Sequence, residues 1–170
     1  MREVDDRIKE HLNILFVGFN PSIRSSETGH HFANPSNRFW KILYEAGLTP
    51  RKLEPLEDDC LLEWDMGITN IVPRPTKAAD EITKDEYKQG REILKQKIAR
   101  LSPKIVCYVG KGVYLQFSGQ KAAPWGKQEE AVVPGTIDFV APSSSGLVRM
   151  KLEEMVTIYK GLTDLLNLYK

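Results

Sequence analysis

The sequence predicts an α/β fold with a mostly parallel sheet and helices on both faces. Three observations predict it. The runs Ile14-Leu15-Phe16-Val17 and Ile105-Val106-Cys107-Tyr108-Val109 are apolar without alternation, the mark of strands buried on both faces. Helical patterns separate the strand patterns along the chain, as βα units require. The segments 83–101 and 150–169 carry apolar stripes at helical spacing, so each has one face to bury.

The elements follow in order. The first strand is read at about 13–19, and a long polar loop from Pro21 to Ser36 follows it. A connection of that length is usually functional. A helix begins near Asn37, with Phe39, Trp40, Leu43 and Tyr44 on one side and Gly47 ending it. A short helix is expected at 57–65 and a strand at 67–72. Pro73 and Pro75 then open a loop to about residue 83. Thr83, with Glu86 three residues on, forms a capping box for a long helix facing inward through Tyr87, Leu94, Ile98 and Leu101. Pro103 breaks it. A strand at 104–109, a helix from about 111 and an irregular β region at 129–141 follow. The last helix places Leu152, Met155, Val156, Tyr159, Leu162, Leu166 and Tyr169 on one stripe.

The 170 residues suit one domain, 1–170, with one core, and the composition is that of an ordinary soluble protein, 41% hydrophobic and 28% charged. No run approaches the roughly 20 apolar residues of a membrane span. The N-terminus is charged and has no apolar signal region, so a cytoplasmic protein with no membrane partner is expected. A monomer is also expected. Two cysteines, Cys60 and Cys107, cannot build a four-thiolate metal site, and His11, His30 and His31 lack metal-site spacing. No metal and no cofactor are expected. Cys107, inside an apolar strand, reads as a buried inert thiol. A formal net charge of +1 excludes binding of nucleic acid by bulk charge alone.

Two corners carry the chemistry. Gly18-Phe19-Asn20-Pro21-Ser22 sets an asparagine at the carboxyl end of the first strand, where open α/β sheets bind ligands. Pro142-Ser143-Ser144-Ser145-Gly146-Leu147 is the second. Phe32, an aromatic in a polar loop, is either an anchor on the core or a platform for a flat ring. Leu147, followed by Arg149, is either the first core residue of the last helix or a wedge for a base stack, with Arg149 on phosphate or a base edge. Ser25-Ser26-Glu27-Thr28-Gly29 could cradle a phosphate, although it is neither a Walker loop nor a dinucleotide fingerprint. The serine run has no histidine after residue 31 to pair with, which disfavours a serine hydrolase.

These residues lie in stretches that resemble the mismatch-specific uracil-DNA glycosylases and the related vertebrate thymine-DNA glycosylases. Gly18–Ser22 resembles the family's first motif. Phe32-Ala33-Asn34-Pro35-Ser36-Asn37-Arg38-Phe39-Trp40 and Gly67–Thr76 resemble the next two. Pro124-Trp125-Gly126-Lys127-Gln128 and Pro142–Arg149 resemble the last ones, so the similarity runs in order along nearly the whole chain.

The resemblance implies a three-layer αβα fold on a short, mainly parallel four-stranded sheet. It implies a monofunctional DNA N-glycosylase acting on double-stranded DNA with U:G or related mismatches. Asn20 would hold the attacking water. Phe32 would stack on the flipped base and Asn70 hydrogen-bond it. Gly18, Phe19, Ser22, Ser25 and Ser143 would complete the base site. Leu147 would fill the gap in the duplex, and Ser145, Gly146, Arg149, Lys111 and Lys127 would meet DNA.

Ser22 stands where the family has glycine, which would shift a nearby backbone N–H. Ser25 stands where thymine-active members have alanine, so uracil is favoured over thymine. A catalytically silent mismatched-DNA binder and a flavin- or phosphate-binding α/β protein are the other readings.

Overall fold

The computed structural model describes residues 1–169. Five strands form one sheet in the order β2-β1-β3-β5-β4. They are β1 (Ile14–Gly18), β2 (Met66–Asn70), β3 (Ile105–Val109), β4 (Gly126–Lys127) and β5 (Ile137–Ala141). The first three and β5 pair in parallel. The fifth strand, beyond the four expected, is the two-residue β4, antiparallel to β5 at the sheet edge. Every residue of β1 and β3 is buried, as their unbroken apolar runs require.

The helices are α1 (Ile23–Thr28), α2 (Phe39–Glu45), α3 (Lys84–Leu101), α4 (Lys111–Ser118) and α5 (Leu152–Leu168). Strand alternation divides the core. Ile14, Phe16, Ile68, Cys107 and Phe139 pack on one face with α2 and α5. Leu15, Val17, Val106, Tyr108 and Val140 pack on the other with α3 and α4. Cys107 is fully buried, and burial pushes its thiol well above the ordinary range. Thr83 and Glu86 form the expected capping box of α3.

Four details depart from the sequence reading. The polar loop after β1 contains α1, capped by the Ser22 hydroxyl and closed by Gly29 in the left-handed conformation. The element expected at 57–65 is a 3-10 stretch over Pro55–Trp64. The irregular region at 129–141 forms only one regular strand, β5. On α5 the buried stripe ends at Leu165 with Leu166 partly buried, while Tyr169 is 50% exposed just past the helix end. Among the described residues, no helix is long and apolar enough to cross a membrane.

The chain leaves β1 for β2 on one side and continues to β3 on the other. This order opens a crevice at the carboxyl ends of β1, β2 and β3. Gly18, Asn70 and Val109, the last residues of those strands, all line it.

Candidate active site

The cleft at these strand ends has a volume of about 420 Å³ and is lined by both corners named above. Gly18, Phe19, Asn20, Ser22, Ser25, Phe32, Asn70, Ser143, Ser145, Gly146 and Leu147 all border it. Arg149, Lys111 and Lys127 do not. Arg149 is exposed on the Leu147 loop. Lys111 lies over the Trp125 ring, 4.0 Å from its centroid. Lys127 sits on the edge strand β4 and borders a separate apolar groove with Trp125, Phe139 and Leu165.

Asn20 is held by its amide nitrogen. Nδ2 donates to the Arg74 carbonyl at 2.7 Å and to Thr76 Oγ1 at 2.8 Å. The Thr76 hydroxyl donates its own hydrogen to the Ala78 carbonyl at 2.8 Å, so it can only accept from Asn20. Both partners therefore fix which end of the amide is NH₂. Among the described residues Oδ1 has no protein donor, and it can accept from a water. The loop that supplies these acceptors is itself fastened. Thr76 N–H donates to the Pro21 carbonyl at 3.2 Å. The Arg74 guanidinium donates to both carboxylate oxygens of Glu86, at 2.8 and 2.9 Å, and to the Glu81 carbonyl at 3.0 Å. The Arg74 bonds hold the Glu86 carboxyl down to about 2.

Asn70 stands beside Gly18 in the β1–β2 register. A Cβ on Gly18 would lie 2.7 Å from Asn70 Oδ1, so only glycine lets this amide lie across the end of β1.

Phe32 is anchored on the core and also borders the cleft. One face stacks on Phe39, with centroids 3.9 Å apart and planes 19° off parallel, while the ring also borders the cleft. Its φ of 52° is left-handed, a conformation that costs a non-glycine residue on the order of 1 kcal/mol or more. Fully buried Asp58 supports that backbone. Its carboxylate accepts from the His31 N–H at 2.9 Å and from Arg7 Nε at 3.0 Å, and His30 Nδ1 lies 3.1 Å away. His31 Nε2 donates to the Asp5 carbonyl at 2.8 Å, and burial holds its imidazole below the ordinary histidine range.

Ser22 Oγ accepts the Ser25 N–H at 3.1 Å and donates to Ser25 Oγ at 3.2 Å, and Ser25 Oγ also accepts the Ala33 N–H at 3.1 Å. Ser22 thus caps a helix, and the Ser25–Gly29 stretch is not an open phosphate cradle, which removes the basis for a flavin or phosphate reading. Two serines of the run, Ser143 and Ser145, are explained the same way, whereas the buried Ser144 hydroxyl has no partner among the described residues. Ser143 Oγ accepts the Ser145 N–H at 3.3 Å, and Ser145 Oγ accepts the Leu147 N–H at 3.2 Å. These bonds shape a loop that carries Leu147 into solvent, 93% exposed. Leu147 is therefore not a core residue of the last helix.

Sequence reasoning gave no role to Thr76, His31 or Arg38. Thr76 orients Asn20. His31 borders the cleft. Arg38 ties α2 to the Leu147 loop. The sequence signals for Thr76 were its place after Pro73 and Pro75, which stiffen the loop, and at the end of the Gly67–Thr76 stretch that carries the resemblance. Among the described residues no group of His, Cys, Asp and Glu side chains could hold a metal ion.

A solution NMR structure from Methanosarcina acetivorans, provisionally named a uracil DNA glycosylase, shares this fold. The match has a TM-score of 0.52 at 18% identity and covers 95% of this chain and 98% of that one. The model of the uracil DNA glycosylase superfamily, whose members are DNA glycosylases, matches residues 6–163. With nearly its whole length matched, the chain belongs to the uracil DNA glycosylase superfamily.

Proposed function

We propose that the protein is a monofunctional repair glycosylase of the mismatch-specific branch. It flips uracil out of a G-mismatched duplex and hydrolyses the N-glycosidic bond. The observation that carries this reading is the Asn20 amide, whose two donors are committed and whose Oδ1 has no donor among the described residues, on the wall of a cleft of about 420 Å³ with room for a nucleobase.

The chemistry follows from that arrangement. A base inside a duplex is out of reach and must be extruded, at a cost of a few kcal/mol that is lower for a mispaired base. Exposed Leu147 fills the gap it leaves, and Arg149 on the same loop meets the backbone. Phe32 stacks on the flipped ring and the Asn70 amide hydrogen-bonds its edge. The bond breaks toward an oxocarbenium-like sugar and an anionic base, and backbone N–H groups near Phe19 and Ser22 stabilise the anion. Water held at Asn20 Oδ1 adds to the sugar carbon, and its proton leaves to solvent. An amide is no strong base, so Asn20 supplies position rather than proton affinity. The chemistry is accordingly slow.

Ser25 decides between bases. It is 2% exposed, borders the cleft, and its hydroxyl is fixed by Ser22 and Ala33. It leaves little room for the methyl of thymine. Duplex oligonucleotides carrying U, T, 3,N4-ethenocytosine or hypoxanthine opposite G, incubated and then cleaved with alkali, test this reading. Strand scission is expected at U and weaker at T. Tight binding without scission at any base would support a silent damage-binding module instead.

A further inference from the structure

Arg38 has no part in the chemistry above, yet among the described residues its side chain makes the most hydrogen bonds to the Leu147 loop. Nη1 donates to the Met150 carbonyl at 3.0 Å. Nη2 donates to the Ser145 carbonyl at 3.0 Å and the Val148 carbonyl at 2.9 Å. The Arg38 backbone N–H adds a bond to the Ser144 carbonyl at 2.9 Å. One residue, on the chain entering α2, thus gathers four carbonyls from a segment 106 or more positions away. The guanidinium matters, since its planar fork fixes the directions of its donors, whereas an ammonium is a compact charge with three rotatable donors on a flexible stem.

The charge matters too. Among the described residues no carboxylate pairs with Arg38, and its Nε is buried without a partner. The guanidinium charge is met by carbonyl dipoles of the loop, and it favours an anion close to the loop. The loop also sits close against the segment before Arg38. A Cβ on Gly146 would lie 2.7 Å from Ser36 Oγ. The loop has little internal bonding of its own beyond the two serine turns and a Val148 N–H to Ser145 carbonyl bond at 3.1 Å.

We infer that Arg38 is the positioning residue of the duplex-invading loop: it presents Leu147 and lends the loop a positive charge, paired with no carboxylate, for the phosphates of the strand being opened. This rests on the wedge role of Leu147 proposed above. It predicts that Arg38 acts through Leu147 and only where there is a base stack to enter.

The test is a double-mutant cycle read on two substrates. Single-turnover excision is measured for wild type, Arg38→Ala, Arg38→Lys, Leu147→Ala and Arg38→Ala/Leu147→Ala, on a G:U duplex and on the same U-containing single strand. Expected is a loss of about tenfold or more for Arg38→Ala on the duplex relative to the single strand. In the Leu147→Ala background the further loss should be under threefold, because residues coupled through one loop are not additive. Arg38→Lys keeps the charge but not the fork, and should recover part of the duplex activity.

Equal loss on both substrates, or full additivity with Leu147→Ala, would overturn the inference. If Arg38→Ala does not fold, judged by its melting curve, the same comparison is made with Arg38→Lys, whose loss must also be confined to the duplex. The underlying reading fails separately: wild type would then leave uracil in both substrates, or Leu147→Ala would lose equally on both.

Discussion

Leu147 is 93% exposed, and a leucine there gains nothing from the free fold. Its apolar surface has value only against something else, and the proposed partner is a base stack. Leu147→Ala should therefore leave the melting temperature where it is, within the roughly 0.5 kcal/mol scatter of surface substitutions. It should lower excision from duplex DNA severalfold more than from a single strand. Melting curves and excision assays on the two substrates check this together. A destabilised variant, or an equal loss on both substrates, would mean that the side chain packs inside the protein or meets the base directly. Phe32 is the contrasting residue. It is partly buried, stacked on Phe39 and strained at φ 52°, so its loss disturbs both fold and site.

Among the elements, the 71–76 segment is the one on which Asn20 depends. It runs on from β2 along the end of β1 through the bonds of Ile71 N–H to Gly18 O and Val72 N–H to Phe19 O, at 2.9 and 3.0 Å. It is then locked to α3 by the Arg74–Glu86 pair. Glu86→Gln should keep α3, since the Thr83 cap remains, but slacken the Arg74 carbonyl that orients Asn20. A fall of about three- to tenfold in the single-turnover rate, with DNA affinity little changed, is expected from excision and binding titrations.

The elements also show what could be read in advance. The strands β1 and β3 were legible because burial on both faces leaves unbroken apolar runs, and α3 and α5 because burial of one face writes a helical period. Helix α1 was not, because its six residues contain one apolar side chain and no period, and it stands on the Ser22 cap and Gly29. The clamps were not legible either. Arg38 reaches carbonyls 107–112 residues away and Asn20 binds a hydroxyl 56 residues away, and no local pattern encodes such pairs. The strand-end asparagine and the exposed leucine were legible because each is the wrong polarity for its local setting.

Across the whole molecule, one buried acid couples stability to pH away from the cleft. Asp138 on β5 is 1% exposed and accepts from the Tyr108 hydroxyl at 3.2 Å and the Val132 N–H at 2.9 Å. Burial outweighs these donors and lifts its carboxyl to about 6. The folded state therefore holds this proton more tightly than the unfolded chain. Stability from this group is highest below about pH 4 and falls as pH rises through about 6, by on the order of 3 kcal/mol. Asp138→Asn, near in shape and never charged, should raise the melting temperature at pH 7 and flatten its slope between pH 4 and 6. Melting curves across that range check it, and an unchanged slope would assign the pH dependence to other groups.

The central claim is that Asn20 positions the water that cleaves the glycosidic bond. It is tested most directly by single-turnover excision from a G:U duplex by wild type and Asn20→Ala, with binding to the same duplex measured in parallel. The predicted result is a rate loss of at least about 100-fold, in the range of lost positioning in the transition state, with affinity held within a few-fold. An Asn20→Ala variant that cleaves at the wild-type rate, or that loses only binding, would contradict it.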